Sequence, residues 1–297
     1  MNLTIAISGV LLVNEFYYIF FICLSQILLT LFQRSKFYYT IIMNVTEELW
    51  TAFNDIYFEP IAHKYTDSLG TNYTSVTTFT HQFKDDVFDS RATAEACVKK
   101  PKYKGETVES LIAKWQLAGD YACTLGTEIH SVMENLWQCK DYNGNRELMS
   151  KFEGMCEDFD ERKVYCLELY KKLKKFYIPI KNEFIVNDAD NCLCGTLDFL
   201  AYNKVKKCYS ILDWKTSKEF NTFNQYNNAK LLAPFSQFDA CNVNEYSIQL
   251  STYAWILEKH TSLKIGEMVL FQIPKKSTAP SIAVCNDMRP YLNKLLK

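Results

Sequence analysis

Gly195-Thr196-Leu197-Asp198-Phe199-Leu200-Ala201-Tyr202, a link Asn203-Lys204-Val205-Lys206-Lys207, then Cys208-Tyr209-Ser210-Ile211-Leu212-Asp213-Trp214-Lys215-Thr216: the reading of this stretch decides the fold. Both flanks are rich in aromatic and branched residues and alternate at period two, so they read as two strands of a hairpin. The charged link suits its turn. In Asp213-Trp214-Lys215 the acid and the amine point to the same side of their strand. A neighbouring strand can set Asp198 beside them. Two carboxylates and an ammonium then converge, as metal-assisted hydrolysis of a phosphodiester requires. An Asp-x-Lys on a strand is also common as a solvated face, so the tripeptide does not decide the chemistry by itself.

The flanking segments add donors. Leu125 to Trp137 carries Ile129, Val132, Met133, Leu136 and Trp137 at helical spacing, one buried stripe. His130 lies beside that stripe with Glu134 one turn later. It is either a boundary histidine or a nitrogen ligand that, with carboxylates, suits manganese or magnesium. Tyr246 to His260 is a second helical segment, with Gln249 and Tyr253 four apart on one face. That pair is either a boundary hydrogen bond or a means of holding phosphate oxygens and orienting Lys215.

The order is a helix with His130, a strand, the hairpin, a helix with Gln249 and Tyr253, and a strand at about Glu267–Ile273. In that order stand Gly126…His130, Gly195…Asp198, Asp213-Trp214-Lys215-Thr216 and Gln249…Tyr253. Over roughly residues 75 to 275 the chain resembles the PD-(D/E)XK nuclease superfamily in its RecB-like exonuclease branch. Ser75–Phe79 and Lys114-Trp115 also resemble segments of phage and large-DNA-virus members. The resemblance implies an α/β fold. Its αβββαβ restriction-endonuclease-like core would be a mixed central sheet flanked by helices, here with added N-terminal helices.

It also implies a metal-dependent deoxyribonuclease, an exonuclease working at DNA ends in replication, repair or recombination. A structure-selective endonuclease and a non-catalytic nucleic-acid-binding module of the same fold are the alternatives. By the resemblance, Asp198, Asp213, the backbone carbonyl of Trp214 and His130 would hold Mg²⁺ or Mn²⁺. Lys215 would position or deprotonate the attacking water, and Gln249 and Tyr253 would contact the scissile region or support Lys215. Glu183 lies on the strand before the hairpin, where the family often carries an acid. It reads equally well as a ligand, directly or through water, and as a surface charge. DNA is the implied partner, with a helicase, a recombination protein or a second copy of the chain as further candidates.

At 297 residues, 48% apolar and 23% charged, the chain is long enough for a full core and ordinary for a globular protein. A net charge of −1 decides nothing about nucleic acid, since binders need a basic stripe and not a basic total. Lysine runs occur at residues 99–104, 171–175 and 275–276; the first and last have the more loop-like or aromatic context. The eleven cysteines contain no Cys-x-x-Cys, and the C-terminal region offers only Cys241 and Cys285. No iron–sulfur cluster is expected, therefore, and free thiols in a reducing compartment are. Nucleus, cytoplasm or a viral factory would fit.

Residues 1–42 differ in character. Phe16–Phe32 is seventeen mostly apolar residues, at the short edge of membrane-spanning length. Either this segment anchors the chain, making membrane contact, or Met43 is the natural start, with Thr46 as the N-cap of a soluble helix. The domain expected is 43–297. A helix is expected over about 45–65, a polar loop through Asn72, and helical pieces over 75–120. One long helix over 147–176 should be closed by Pro179, and residues 216–243 should form a long functional loop.

Overall fold

The computed structural model describes residues 36–297 apart from 54, 60, 61, 63, 86–88, 225–227 and 276–278. The chain divides into two units, Met1–Glu48 and Leu49–Lys297. Helix α1 covers residues 36–52. The apolar run Phe16–Phe32 lies outside the described residues; among those described, no helix is long and apolar enough to cross a membrane.

Three short strands come next, β1 (Ile56–Glu59), β2 (Lys64–Asp67) and β3 (Asn72–Ser75), then α2 (Val76–His81), α3 (Ser90–Cys97) and α4 (Val108–Trp137). After these stand α5 (Arg146–Met149), α6 (Met155–Leu173), β4 (Tyr177–Asp188), β5 (Leu193–Asn203) and β6 (Cys208–Lys215). A long connection leads to α7 (Asn242–His260), β7 (Ile265–Gln272), β8 (Ile282–Val284) and α8 (Arg289–Leu295). The strands form one mixed sheet. β5 is its centre: β4 pairs antiparallel along one edge, while β3, parallel, and β6, antiparallel, share the other. β6 and β7 run parallel, which a tight turn cannot achieve; α7 makes the crossover. The fold is α/β, with helices flanking a mixed sheet.

The core explains why these segments take these forms. Phe199 and Ala201 of β5, Leu212 and Trp214 of β6, and Val269 and Phe271 of β7 make one apolar face. Against it pack Leu125, Ile129, Val132 and Met133 of α4 and Phe159, Cys166, Leu169 and Leu173 of α6. The α4 stripe is the one its periodicity predicts. α4 is longer than that stripe: it starts at a capping box between Thr107 and Ser110, and its first turns pack Leu111 on Ala94 and Cys97 of α3.

Several expectations need correction. The helix predicted from about 45 to 65 instead spans residues 36–52, so Thr46 is interior and caps nothing. No glycine or proline interrupts residues 36–45, so the helix has no reason to begin later. Beyond it the chain turns to strand: β1, β2 and β3 form an antiparallel meander where a helix end and a loop were expected, with Gly70 at φ +80° in its second turn. The single helix expected at 147–176 is two, broken where Gly154 takes φ +71°. Pro179 does not close it; it lies inside β4 beside a bulge.

Candidate functional site

β5 and β6 place the first three residues. Phe199 pairs with Leu212, so one register step onward Asp198 adjoins Asp213. Asp213 and Lys215 share a side of β6, as the alternation requires, and the Lys215 ammonium lies 2.7 Å from Asp213 Oδ1. That oxygen is buried, yet no donor is aligned with it as a hydrogen bond; the contact is an ion pair. Asp198 Oδ2 accepts the Trp214 backbone N–H at 2.8 Å, which ties the carboxylate to the neighbouring strand.

β4 and α4 bring the rest. Glu183 sits across from Asp198, between the Asn182–Phe199 and Phe184–Leu197 pairs, with φ +43°. A left-handed residue in a strand is costly for a side chain with a Cβ and occurs where the surroundings enforce it. His130 Nδ1 lies 3.4 Å from Glu183 Oε1 and 3.5 Å from Asp198 Oδ2. His130 Nε2 is 2.8 Å from the Trp214 carbonyl. A carbonyl only accepts, so Nε2 carries the proton, and Nδ1 is the nitrogen turned to the carboxylates. Ligand atoms of His130, Glu183 and Asp198 all lie within 4.8 Å of one another, close enough to share one cation.

The predicted set is thus assembled with two changes of position. Glu183 joins His130 and Asp198, while Asp213 stands next to them, paired with Lys215. The Trp214 carbonyl, predicted as a ligand, accepts from His130 Nε2 and so orients its ring.

Charge in this site is out of balance. Burial disfavours the imidazolium of His130, but Asp198 and Glu183 outweigh it and push its pKa up to about 9. Burial and then the Asp198 charge push Asp213 up to about 6, against the pull of Lys215. Asp198 is raised chiefly by burial, with Glu183 adding to it and His130 opposing. For Lys215 burial opposes the charge, yet Asp213 and Asp198 hold the ammonium above its ordinary range. Buried carboxylates raised in this way are short of positive charge.

α7 supplies the opposite wall. Gln249 and Tyr253 line a cleft of about 540 Å³ together with His130, Glu183, Gly126, Thr127 and Glu134. Gly195 permits that wall to close in: a Cβ there would meet Tyr253 Cε1 and its hydroxyl at 2.9 Å. Gly126 is less constrained, since a Cβ would meet only Thr216 Oγ1 at an ordinary 3.7 Å. The ring over Lys215 belongs to Tyr246, 4.6 Å from the ammonium to its centroid. Tyr246 is three residues before Gln249 on the same helix face, a spacing that marks it once the role of that face is known. Phe58 and Tyr65 of the unexpected meander also line the cleft, and Tyr65 bonds Thr196 through its hydroxyl.

Buried Arg162 of α6 braces the far end of the hairpin strand. Its guanidinium binds Asp158 at 2.9 Å and donates to the carbonyls of Ile273 and Thr216. The residue after the Asp213–Lys215 pair is therefore held from the helix layer. No family model matches the chain, and no curated protein does.

Proposed function

We propose that the protein is a divalent-metal-dependent deoxyribonuclease of the PD-(D/E)XK type, cleaving at DNA ends. One observation carries the reading: His130, Glu183 and Asp198 converge within 4.8 Å beside the Asp213–Lys215 pair. One imidazole nitrogen with carboxylate oxygens is a donor set for Mn²⁺ or Mg²⁺. The buried carboxylates held above their usual range by burial and by each other fit a cation as well. His130, Glu183 and Asp198 would hold it, with Asp213 adjacent. A cation there supplies Lewis acidity toward a phosphoryl oxygen and makes water a stronger nucleophile at neutral pH.

The chain's own groups do the remaining work. The Trp214 carbonyl fixes the His130 tautomer. Lys215, kept charged by Asp213 and Asp198, offsets negative charge building on the phosphoryl oxygens. Beside these carboxylates Lys215 would position or deprotonate the attacking water. Gln249 offers an amide to phosphate oxygens from the cleft wall. The cleft has the volume of a small-molecule site, enough for one nucleotide and too small for a duplex. That supports action at an end.

End-labelled linear DNA and closed circles, incubated with Mg²⁺, Mn²⁺ or EDTA, test the proposal. Metal-dependent release of nucleotides from linear DNA only, abolished by Asp198→Asn, is the expected result. Nicked circles would mean an endonuclease, and binding without cleavage under any metal a non-catalytic module.

A further inference from the structure

Two lysine runs far apart in sequence meet at the end of the sheet away from the site. The last turn of α6 and the link after it carry Lys171, Lys172, Lys174 and Lys175, and the β5–β6 turn carries Lys204, Lys206 and Lys207. The Lys204 backbone N–H donates to the Phe176 carbonyl at 2.8 Å, and its ammonium to the Lys174 carbonyl at 3.0 Å. The two turns are thereby fastened into one surface. Among the described ion pairs only Lys206 of these seven has a carboxylate partner, Glu267. Lysines in the last turn of α6 complement its helix dipole, which accounts for one or two charges and not for seven. Phe176 and Val205 stand 48% and 70% exposed within the patch.

We propose that this two-turn surface binds the phosphate backbone of nucleic acid at a distance from the cleavage site. The inference rests on the nuclease reading for its partner, but its evidence is separate. In a chain of net charge −1, the six lysines on this surface that have no carboxylate partner among the described ion pairs make a local field suited to a polyanion. Two isolated apolar side chains are too few to insert into a bilayer as an amphipathic face does, while one exposed ring among lysines suits base stacking. The reach comes from β5. Asp198 precedes Asn203 by five residues, which at about 3.3 Å each is roughly 17 Å. At the duplex rise of about 3.4 Å per nucleotide the patch lies about five nucleotides from the candidate cleavage site. Short oligonucleotides cannot touch both places.

The full-length quadruple variant Lys171→Glu, Lys172→Glu, Lys175→Glu, Lys207→Glu tests it, against a charge-matched control at exposed lysines outside the runs, Lys151→Glu, Lys264→Glu, Lys294→Glu, Lys297→Glu. Fluorescence anisotropy with a 30-mer DNA in EDTA, across a salt series, reads affinity apart from cleavage. The first variant should bind on the order of tenfold more weakly, with a log–log salt slope smaller by roughly 2–4. Cleavage of a 4-mer should not change, and unaltered circular dichroism melts verify the fold. An unchanged slope, an equal effect in the control, or binding only to phosphatidylserine vesicles would overturn the assignment. If wild-type protein binds the 30-mer through these lysines yet cleaves nothing, the nuclease reading fails and this one stands.

Discussion

Glu183 provides the sharpest test of how the site is built. It holds φ +43° in the middle of β4, opposite Asp198, and that backbone state aims its carboxylate at His130. Replacing Glu183 with Ala or with Gly removes the carboxylate equally, so the difference between the two variants reports the backbone alone. At an ordinary strand position Gly is less stable than Ala by about 0.5–1 kcal/mol. In the left-handed region a Cβ costs roughly 1–2 kcal/mol, which reverses the order. Glu183→Gly should then be the more stable of the pair by about 0.5–1 kcal/mol. In a chain of this size that is a melting temperature about 1–3 °C higher. If the proposed metal site holds Mn²⁺, wild type should melt higher with it and both variants should lose most of that gain. Differential scanning fluorimetry with and without Mn²⁺ reads both effects. An Ala variant as stable as the Gly variant would refute the claim that a strained backbone presents this carboxylate.

Two further outcomes concern buried charges. Lys215→Met leaves Asp213 buried without its cation and should cost about 2–3 kcal/mol in urea unfolding, below the usual range for a broken buried pair because Lys215 keeps some exposure. The double variant with Asp213→Asn should recover much of that loss; no recovery would mean the pair is not coupled. Glu267 is buried at the other end of the sheet; burial opposes its charge, but Lys206, Asn203, Ser210 and Tyr177 overcome this and lower its pKa. A depressed carboxylate stabilises the fold above its unfolded value of 4.5 and loses that contribution as pH falls through the lower folded value. Glu267→Gln should therefore be destabilised at pH 7 and approach wild type in melts at about pH 3, whereas a constant gap would contradict the linkage.

What could be read from the sequence, and what could not, divides on physical lines. The hairpin was legible because period-two alternation and a lysine-rich turn are local signals, and its register was fixed once both strands were placed. α4 was legible through its apolar stripe. The meander β1–β3 was not: strands of four residues are too short to show alternation, and its tie to the larger sheet is the tertiary pairing of β3 with β5. Glu183 could be placed on its strand but not aimed, because glutamate has no preference for the left-handed region and only the pairing of β4 with β5 imposes it. Tyr246 was hidden by its neighbours, since a Tyr among so many aromatics carries no signal until Lys215 is set beneath it. The joining of residues 171–176 to residues 204–207 is a tertiary event that no window of sequence contains.

The balance of charge in the site bears on the valence of the ligand as well as its sign. Glu183, Asp198 and Asp213 present three carboxylates to one permanent cation, Lys215, and so leave a deficit of two positive charges. A proton on His130 makes up one of them, which is why Asp198 and Glu183 pull its pKa up to about 9 against the opposing effect of burial. The remaining deficit shows in Asp213, held at about 6 by burial and by Asp198 even with an ammonium 2.7 Å away. A monovalent cation displacing the His130 proton would leave the deficit where it was. A divalent cation would remove it, and the imidazole would then serve as a neutral nitrogen donor through Nδ1, its other nitrogen already committed to the Trp214 carbonyl. On the proposed nuclease reading, an anionic substrate would then meet a centre that no longer repels it, and Lys215 would meet the charge developing on phosphorus-bound oxygen.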